Sequence, residues 1–210
     1  AFRLSTRGVE GVETRMIGRD AELAALQSAF AEAVIEATPR VVAIVGEAGV
    51  GKSRLLYEFD NWVDLRPEQV RYFKGRATPG LQGVPYSLWR DLFAFRFDIL
   101  DSDSPAVALN KFRQGFVGTR LAAEATADPE LIANQADIVG HWLGFDFSAS
   151  PAVVRLGSSP DFATLAQAYF VRFVRALAAE RGMAILLEDI HWADDSSLDL
   201  IGGLSRAMVE

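Results

Sequence analysis

Residues 41–53, VVAIVGEAGVGKS, decide the fold. Four β-branched residues in a run of five (Val41, Val42, Ile44 and Val45) lead without a break into a glycine-rich octet, and RLLYEF follows with the spacing of a helix. A β-branched run, a glycine-rich turn and Lys-Ser opening a helix form the G-x-x-x-x-G-K-[ST] phosphate loop in its strand, loop and helix setting. The chemistry accounts for the residue types. Gly46, Gly49 and Gly51 let the backbone reach φ > 0 and turn N–H groups toward an anion. Lys52 brings a point charge to the β- and γ-phosphate oxygens and is a catalytic candidate. The Ser53 hydroxyl suits Mg²⁺, and the helix adds its positive N-terminal end. The expected nucleotide contacts of this stretch are Gly46, Glu47, Ala48, Gly49, Val50, Gly51, Lys52, Ser53 and Arg54.

The composition narrows the remaining choices. With 210 residues, 50% hydrophobic and 23% charged, the chain is long enough to bury a full core. It has no cysteine, which removes disulfides, thiolate metal sites and cysteine nucleophiles. Neither a signal-like segment nor an 18-residue apolar run is present, so the expected location is the cytoplasm, away from membranes. A net charge of −7 with both signs interspersed argues against direct nucleic-acid binding.

Residues 1–15 are polar, carry Arg3, Arg7 and Arg15, and are broken by Gly8 and Gly11, as in a linker. The chain opens without a methionine, which leads to the expectation of a piece excised from a longer polypeptide. Leu23, Leu26, Ala29, Phe30 and Ala33 then mark a helix face that Asp20 is placed to cap, with Pro39 closing the segment. Beyond the loop, Leu55, Leu56, Phe59 and Val63 stripe a helix that Pro67 stops, and residues 70–77 read as a strand. A helix from about Pro85 carries Tyr86, Trp89, Phe93 and Phe97, whose spacing makes core packing the better reading than a base-stacking platform. Helical patterns at 104–125 and 129–142, with no long β-branched run, predict a helical insertion at about residues 101–160. A long helix over 161–181 is expected to turn Leu165, Tyr169, Phe173, Val174 and Leu177 inward and Arg172, Arg175 and Arg181 outward before Gly182 ends it.

Residues 183–187 read as a buried strand ending in Glu188 and Asp189, and a helix over 196–208 is opened by Asp194 or Asp195. An apolar strand with an acidic pair at its carboxyl end is the Walker B pattern, weak alone and sharper beside the phosphate loop. One carboxylate would hold the metal and the other would orient or deprotonate the attacking water. By position after the apolar run, Glu188 faces the metal, with Ser53 and Asp189 as the further metal candidates, and Asp189 serves the water. His191 reads as a hydrogen-bonded structural residue, as does His141 on an apolar helix face.

Three passages together, TRGVEGVETRMIGRDAEL, VGEAGVGKSRLLYEF and LLEDIHWADDSSLDLI, give the chain a resemblance to the AAA-like ATPase module of the STAND class of signal-transduction NTPases. It is similar in particular to the module that follows class III adenylate/guanylate cyclase domains in bacterial regulators. The resemblance implies an ASCE-type P-loop NTPase, a three-layer α/β/α parallel sheet, with 1–15 as linker and 16–210 as the ATPase core. It implies ATP or ADP with Mg²⁺ as ligands and places Gly18 and Arg19 near the adenine and ribose. The implied role is a slowly hydrolysing switch, with a nucleotide-binding interaction scaffold of negligible turnover as the alternative. Implied partners are other domains of the same polypeptide, a cyclase before it and helical repeats after it, or another copy of the chain. Relatives often read Asp-Glu where this chain reads Glu188-Asp189, so the two roles are open to exchange. They also continue into a further sensor strand and lid, which predicts weak turnover by these 210 residues alone. It also predicts either direct pairing of the central strand edges or a gap filled by another copy or polypeptide.

Overall fold

The structure, a computed structural model, describes residues 16–66, 70–118 and 128–208. The expected linker at 1–15 and the stop at Pro67 lie outside the described residues, as do 119–125 of the expected 104–125 helix, whose described part ends at Val117 with Gly118 as its cap. The chain divides into two compact units, one through residue 69 and one from Val70 to Met208.

In the first unit, α1 (Asp20–Glu36) and α2 (Lys52–Asp64) pack together. The N-cap of α1 is Arg19, not Asp20, and no side chain caps it; Asp20 and Glu22 instead place negative charge in its first turn, where the helix dipole favours it. Leu26 is buried on the predicted face, with Leu23, Ala29, Phe30 and Ala33 partly so. On α2, Leu55, Phe59 and Val63 are buried. Phe30 sets its edge against Phe59 and Trp62 at 6.1 and 5.6 Å. The expected strand at 41–45 pairs with nothing among the described residues, and Val45 is 91% exposed. Its β-branched composition favours an extended chain, but a strand is completed only by backbone partners from elsewhere in the fold.

The second unit is built on one parallel ladder, β1 (Arg71–Arg76) with β2 (Met183–Glu188), in register from Arg71↔Met183 to Arg76↔Glu188. Among the described residues this pair is the whole sheet; the wider three-layer sheet is not seen. Between the strands run α3 (Ser87–Arg96), α4 (Pro105–Val117), α5 (Pro129–Trp142), α6 (Pro151–Leu156) and α7 (Phe162–Arg181), and α8 (Asp195–Ala207) follows β2. β2 is half-buried rather than buried along its apolar run. Met183, Ile185 and Leu187 pack on the core while Ala184 and Leu186 point to the other face, as the period of two requires.

The core is aromatic. Trp89 and Phe93 of α3 are buried as the stripe predicts, and Tyr86 and Phe97 pack at its margin. Phe116 of α4 stacks on Phe173 of α7 at 4.0 Å, 8° from parallel. Phe173, Val174 and Leu177 are buried as expected, yet Ala166 and Phe170, outside the predicted stripe, are fully buried too. α7 touches both α5 and β1, so its covered arc is wider than one stripe. Arg175 does not point away from the fold: its guanidinium donates to the Ala207 carbonyl at the end of α8. Asp137, fully buried, accepts a two-pronged pair from Arg113 at 2.6 and 2.5 Å and a further bond from the Ser150 hydroxyl.

Asp194 joins the turn after β2 to the start of α3. It caps α8 through Ser197 N and Oγ at 2.8 and 2.7 Å, and accepts from Tyr86 N at 2.8 Å and from Ser87 N and Oγ at 3.1 and 3.2 Å. Burial pushes its carboxyl up, but these donors outweigh burial and hold it below the ordinary carboxylate value. Because the folded value is depressed, its contribution to stability is present above the unfolded value of about 3.9 and lost as pH falls through the lower folded one. Asp194→Asn should therefore cost about 1–3 kcal/mol at neutral pH and flatten the loss of stability below about pH 4. Urea midpoints measured from pH 7 to pH 3 check this, and parallel curves for the two proteins would count against it.

At Gly140 of α5 a Cβ would lie 2.2 Å from Cε2 of the buried Phe147 ring and 3.3 Å from Phe112. Gly140→Ala should lower stability by about 1–3 kcal/mol through overpacking. An unchanged urea midpoint would show that the ring yields freely.

Candidate functional site

The phosphate loop lies in the first unit. Gly49 and Gly51 sit at φ +83° and +93°, where a side chain is strained, and Gly51 is the N-cap of α2. A Cβ on Gly46 would come within 3.1 Å of Val50. No side chain caps α2, and its first bond runs from Leu55 N to Gly51 O at 3.0 Å. The N–H groups of Lys52, Ser53 and Arg54 therefore precede the helix ladder, as orphan donors suited to an anion. Lys52 Nζ donates to the Gly46 and Glu47 carbonyls at 2.7 and 2.8 Å, which folds the loop about its own cation. Arg54 points elsewhere: it pairs with Glu58 and lies over the Tyr57 ring.

Arg19 is brought to this loop. Gly18, at φ +73°, turns the chain into α1, and the Arg19 guanidinium donates to Glu22 Oε1 at 2.6 Å and to Val50 O at 3.3 Å. The hydrogen bond from Arg19 holds the Glu22 carboxyl below its ordinary range.

The acidic pair lies in the second unit. Glu188 ends β2 and is 6% exposed, and its carbonyl accepts from Ala77 N at 3.0 Å. Asp189 takes a left-handed backbone, φ +53°, which Asp tolerates better than most residues and which reverses the chain after the strand. Its Oδ2 accepts from Arg76 Nε at 2.8 Å and NH2 at 2.6 Å. His191 and Trp192 form a single helical turn with their rings 5.0 Å apart, and Gln82 donates to the His191 carbonyl at 3.3 Å. His141 lies in α5, apart from these groups, with its ring edge toward Phe162.

Two residues at this strand end escaped the sequence reading. Arg76 is only one residue of the expected 70–77 strand until the parallel register sets it beside Glu188 and its guanidinium meets Asp189. Asp194 reads as an ordinary cap, and only the fold shows that it also grips Tyr86 and Ser87. Among the described residues no group of three or more His, Asp or Glu side chains converges on a metal position.

A family model described as the AAA ATPase domain matches residues 15–209. An uncharacterized protein of Rhizobium meliloti (strain 1021) is 28% identical over 202 residues, which cover 93% of this chain and 17% of that relative. The chain thus spans about a sixth of the length of the curated relative it matches. No solved structure matches the chain significantly. With the phosphate loop, the acidic strand end and a family match over nearly its whole length, the chain belongs to the AAA ATPase domain family, nucleotide-binding domains of the α/β P-loop fold.

Proposed function

We propose that this chain is the nucleotide-operated switch of a larger, cytoplasmic signalling protein, of the STAND type and linked to a cyclase. It takes ATP or ADP with Mg²⁺ at Gly46, Glu47, Ala48, Gly49, Val50, Gly51, Lys52 and Ser53, with Arg54 following and Gly18 and Arg19 toward the base and ribose. The observation that carries this reading is the loop itself: two glycines at positive φ, orphan donors at the start of α2, and Lys52 at its centre. Mg²⁺, when bound, neutralises phosphate charge; Ser53 and Glu188 are its proposed holders, with Asp189 directed to the attacking water. A three-layer ASCE-type sheet with a helical insertion at about 101–160 completes the architecture of residues 16–210. The membrane-free setting is supported by the finding that no helix among the described residues is long and apolar enough to cross a membrane. Other domains of the same polypeptide, or a second copy, would read the switch through differential contacts in its ligand states.

A second reading, an interaction scaffold that binds nucleotide with negligible hydrolysis, is favoured by the Arg76–Asp189 pair. A carboxylate already taken by a guanidinium is a poor partner for water.

Lys52→Ala should weaken nucleotide binding at least about a hundredfold, because a charged donor to the phosphates is lost. Calorimetry with ATP and ADP, with Mg²⁺ and with EDTA, reads this directly, and equal affinities for wild type and variant would overturn the proposal. On the first reading, Asp189→Asn lowers turnover with binding intact, and Glu188→Gln weakens the Mg²⁺ dependence. The reverse pattern would mean that the two acids exchange roles. On the second, Arg76→Gln raises turnover severalfold by releasing Asp189, and single-turnover hydrolysis with an unchanged or lower rate would sink it.

A further inference from the structure

The sequence of α8, DSSLDLIGGLSRA, sets two adjacent glycines, Gly202 and Gly203, in the interior of a helix. Glycine weakens a helix because its backbone has more freedom to lose and its missing side chain leaves the ladder open to water. Elsewhere in this fold a helical glycine answers to packing. At Gly115 of α4 and Gly140 of α5 a Cβ would run into the rings of Phe97 and Phe147 at 2.2 Å. At Gly202 and Gly203 it would meet, among the described residues and outside the helix backbone, only the side-chain tips of Arg206 and Gln167, at ordinary contact distances of 3.6 and 3.4 Å. Neither glycine has a positive φ. Alanine fits both positions, so neither sterics nor dihedral requires glycine there.

The ladder is loosened again beside the pair. The Ser205 hydroxyl donates back to the Ile201 carbonyl at 2.8 Å, a bond that competes with the helix's own use of that acceptor. It spans Gly202 and Gly203, and Gly/Ser pairs are a recurrent cause of helix kinks.

The two halves of α8 are also held unequally. In the first, Asp194 caps the helix, the Ser197 carbonyl accepts from Trp89 Nε1 at 3.2 Å, and Ser197 and Leu200 are buried. The second half has one buried side chain, Leu204, and its end is held by the Arg175 guanidinium on the Ala207 carbonyl, where the helix dipole favours a cation.

We infer that Gly202 and Gly203 form a hinge built into the fold. The second half of α8 opens from the core as a unit, with Arg175 as its latch, while the first half stays with the acidic strand end through Asp194. The hinge decouples the two ends of the helix: movement at residues 204–208 leaves the turn carrying Glu188 and Asp189 in place. This inference does not rest on the nucleotide reading.

Amide hydrogen exchange of the folded 210-residue chain, followed by NMR at low urea, tests it. Leu204 to Met208 should share one opening free energy and exchange at least about tenfold faster than Leu198 to Ile201, with a step in protection at the glycine pair. Gly202→Ala and Gly203→Ala should each slow exchange of the second half about fivefold, as the difference in helix propensity sets, and leave the first half unchanged. Arg175→Gln should speed exchange of the second half severalfold, again without effect on the first. Protection that declines smoothly from Leu198 to Met208 would mean ordinary end fraying and would overturn the hinge. Alanine variants that protect both halves equally would overturn it too, because α8 would then open as one piece, as would an Arg175→Gln variant with unchanged exchange at residues 204–208.

Discussion

A single buried carboxylate governs the second unit. Asp194 gathers three backbone N–H groups and two hydroxyls from two chain segments more than a hundred residues apart in sequence. A hydrogen-bonded charge of this kind is tolerated inside a fold only when its acceptor capacity is filled, and here it is. The consequence is geometric. The turn carrying Glu188 and Asp189 is fixed at one end by the β2 ladder and at the other by Asp194, so the acidic pair is held between two restraints. Tyr86, held in a left-handed conformation at φ +60° while its N–H meets Asp194, shows that α3 starts where this carboxylate requires.

The two charged groups proposed for nucleotide chemistry are each already engaged within their own unit. Lys52 is bonded to loop carbonyls, and Asp189 to Arg76. Neither engagement is a deep trap: the Arg76 and Asp189 side chains are 38% and 28% exposed, where an ion pair contributes modestly. An incoming phosphate competes with neutral carbonyls for Lys52, and a charged acceptor is the stronger partner. The resting arrangement is therefore one that ligand can displace, which suits a switch better than a site rigidly set for one state.

The helices were legible because their evidence is local. Leu26 and Phe30, Trp89 and Phe93, and Phe173 and Leu177 recur at helical spacing, and each helix appears where that spacing runs. The exact cap is harder: Arg19 and Asp20 differ by one residue, and the dihedral rather than the side chain decides between them. Strands depend on remote partners, so residues 71–76 and 183–188 formed a ladder while 41–45, with stronger β-branched character, did not. Phe170 and Ala166 were missed because one stripe underestimates a helix covered from two directions. At the candidate site the glycine-rich loop was readable from its spelling. Arg76 was not, because a charge at a strand end acquires meaning only from the strand beside it.

The exposed valines at 41, 42 and 45 have a practical consequence for handling the protein. Five apolar residues with high β-propensity, no proline and no internal charge form a segment prone to intermolecular cross-β pairing when left without a ladder. Arg40 and Glu47 bracket it as charged gatekeepers, but Arg40 is itself paired with Glu36 at 2.5 Å, which mutes its charge. Colloidal behaviour, rather than fold stability alone, will thus set the concentration at which the protein stays dispersed, and its dependence on ionic strength should follow the screening of those flanking charges.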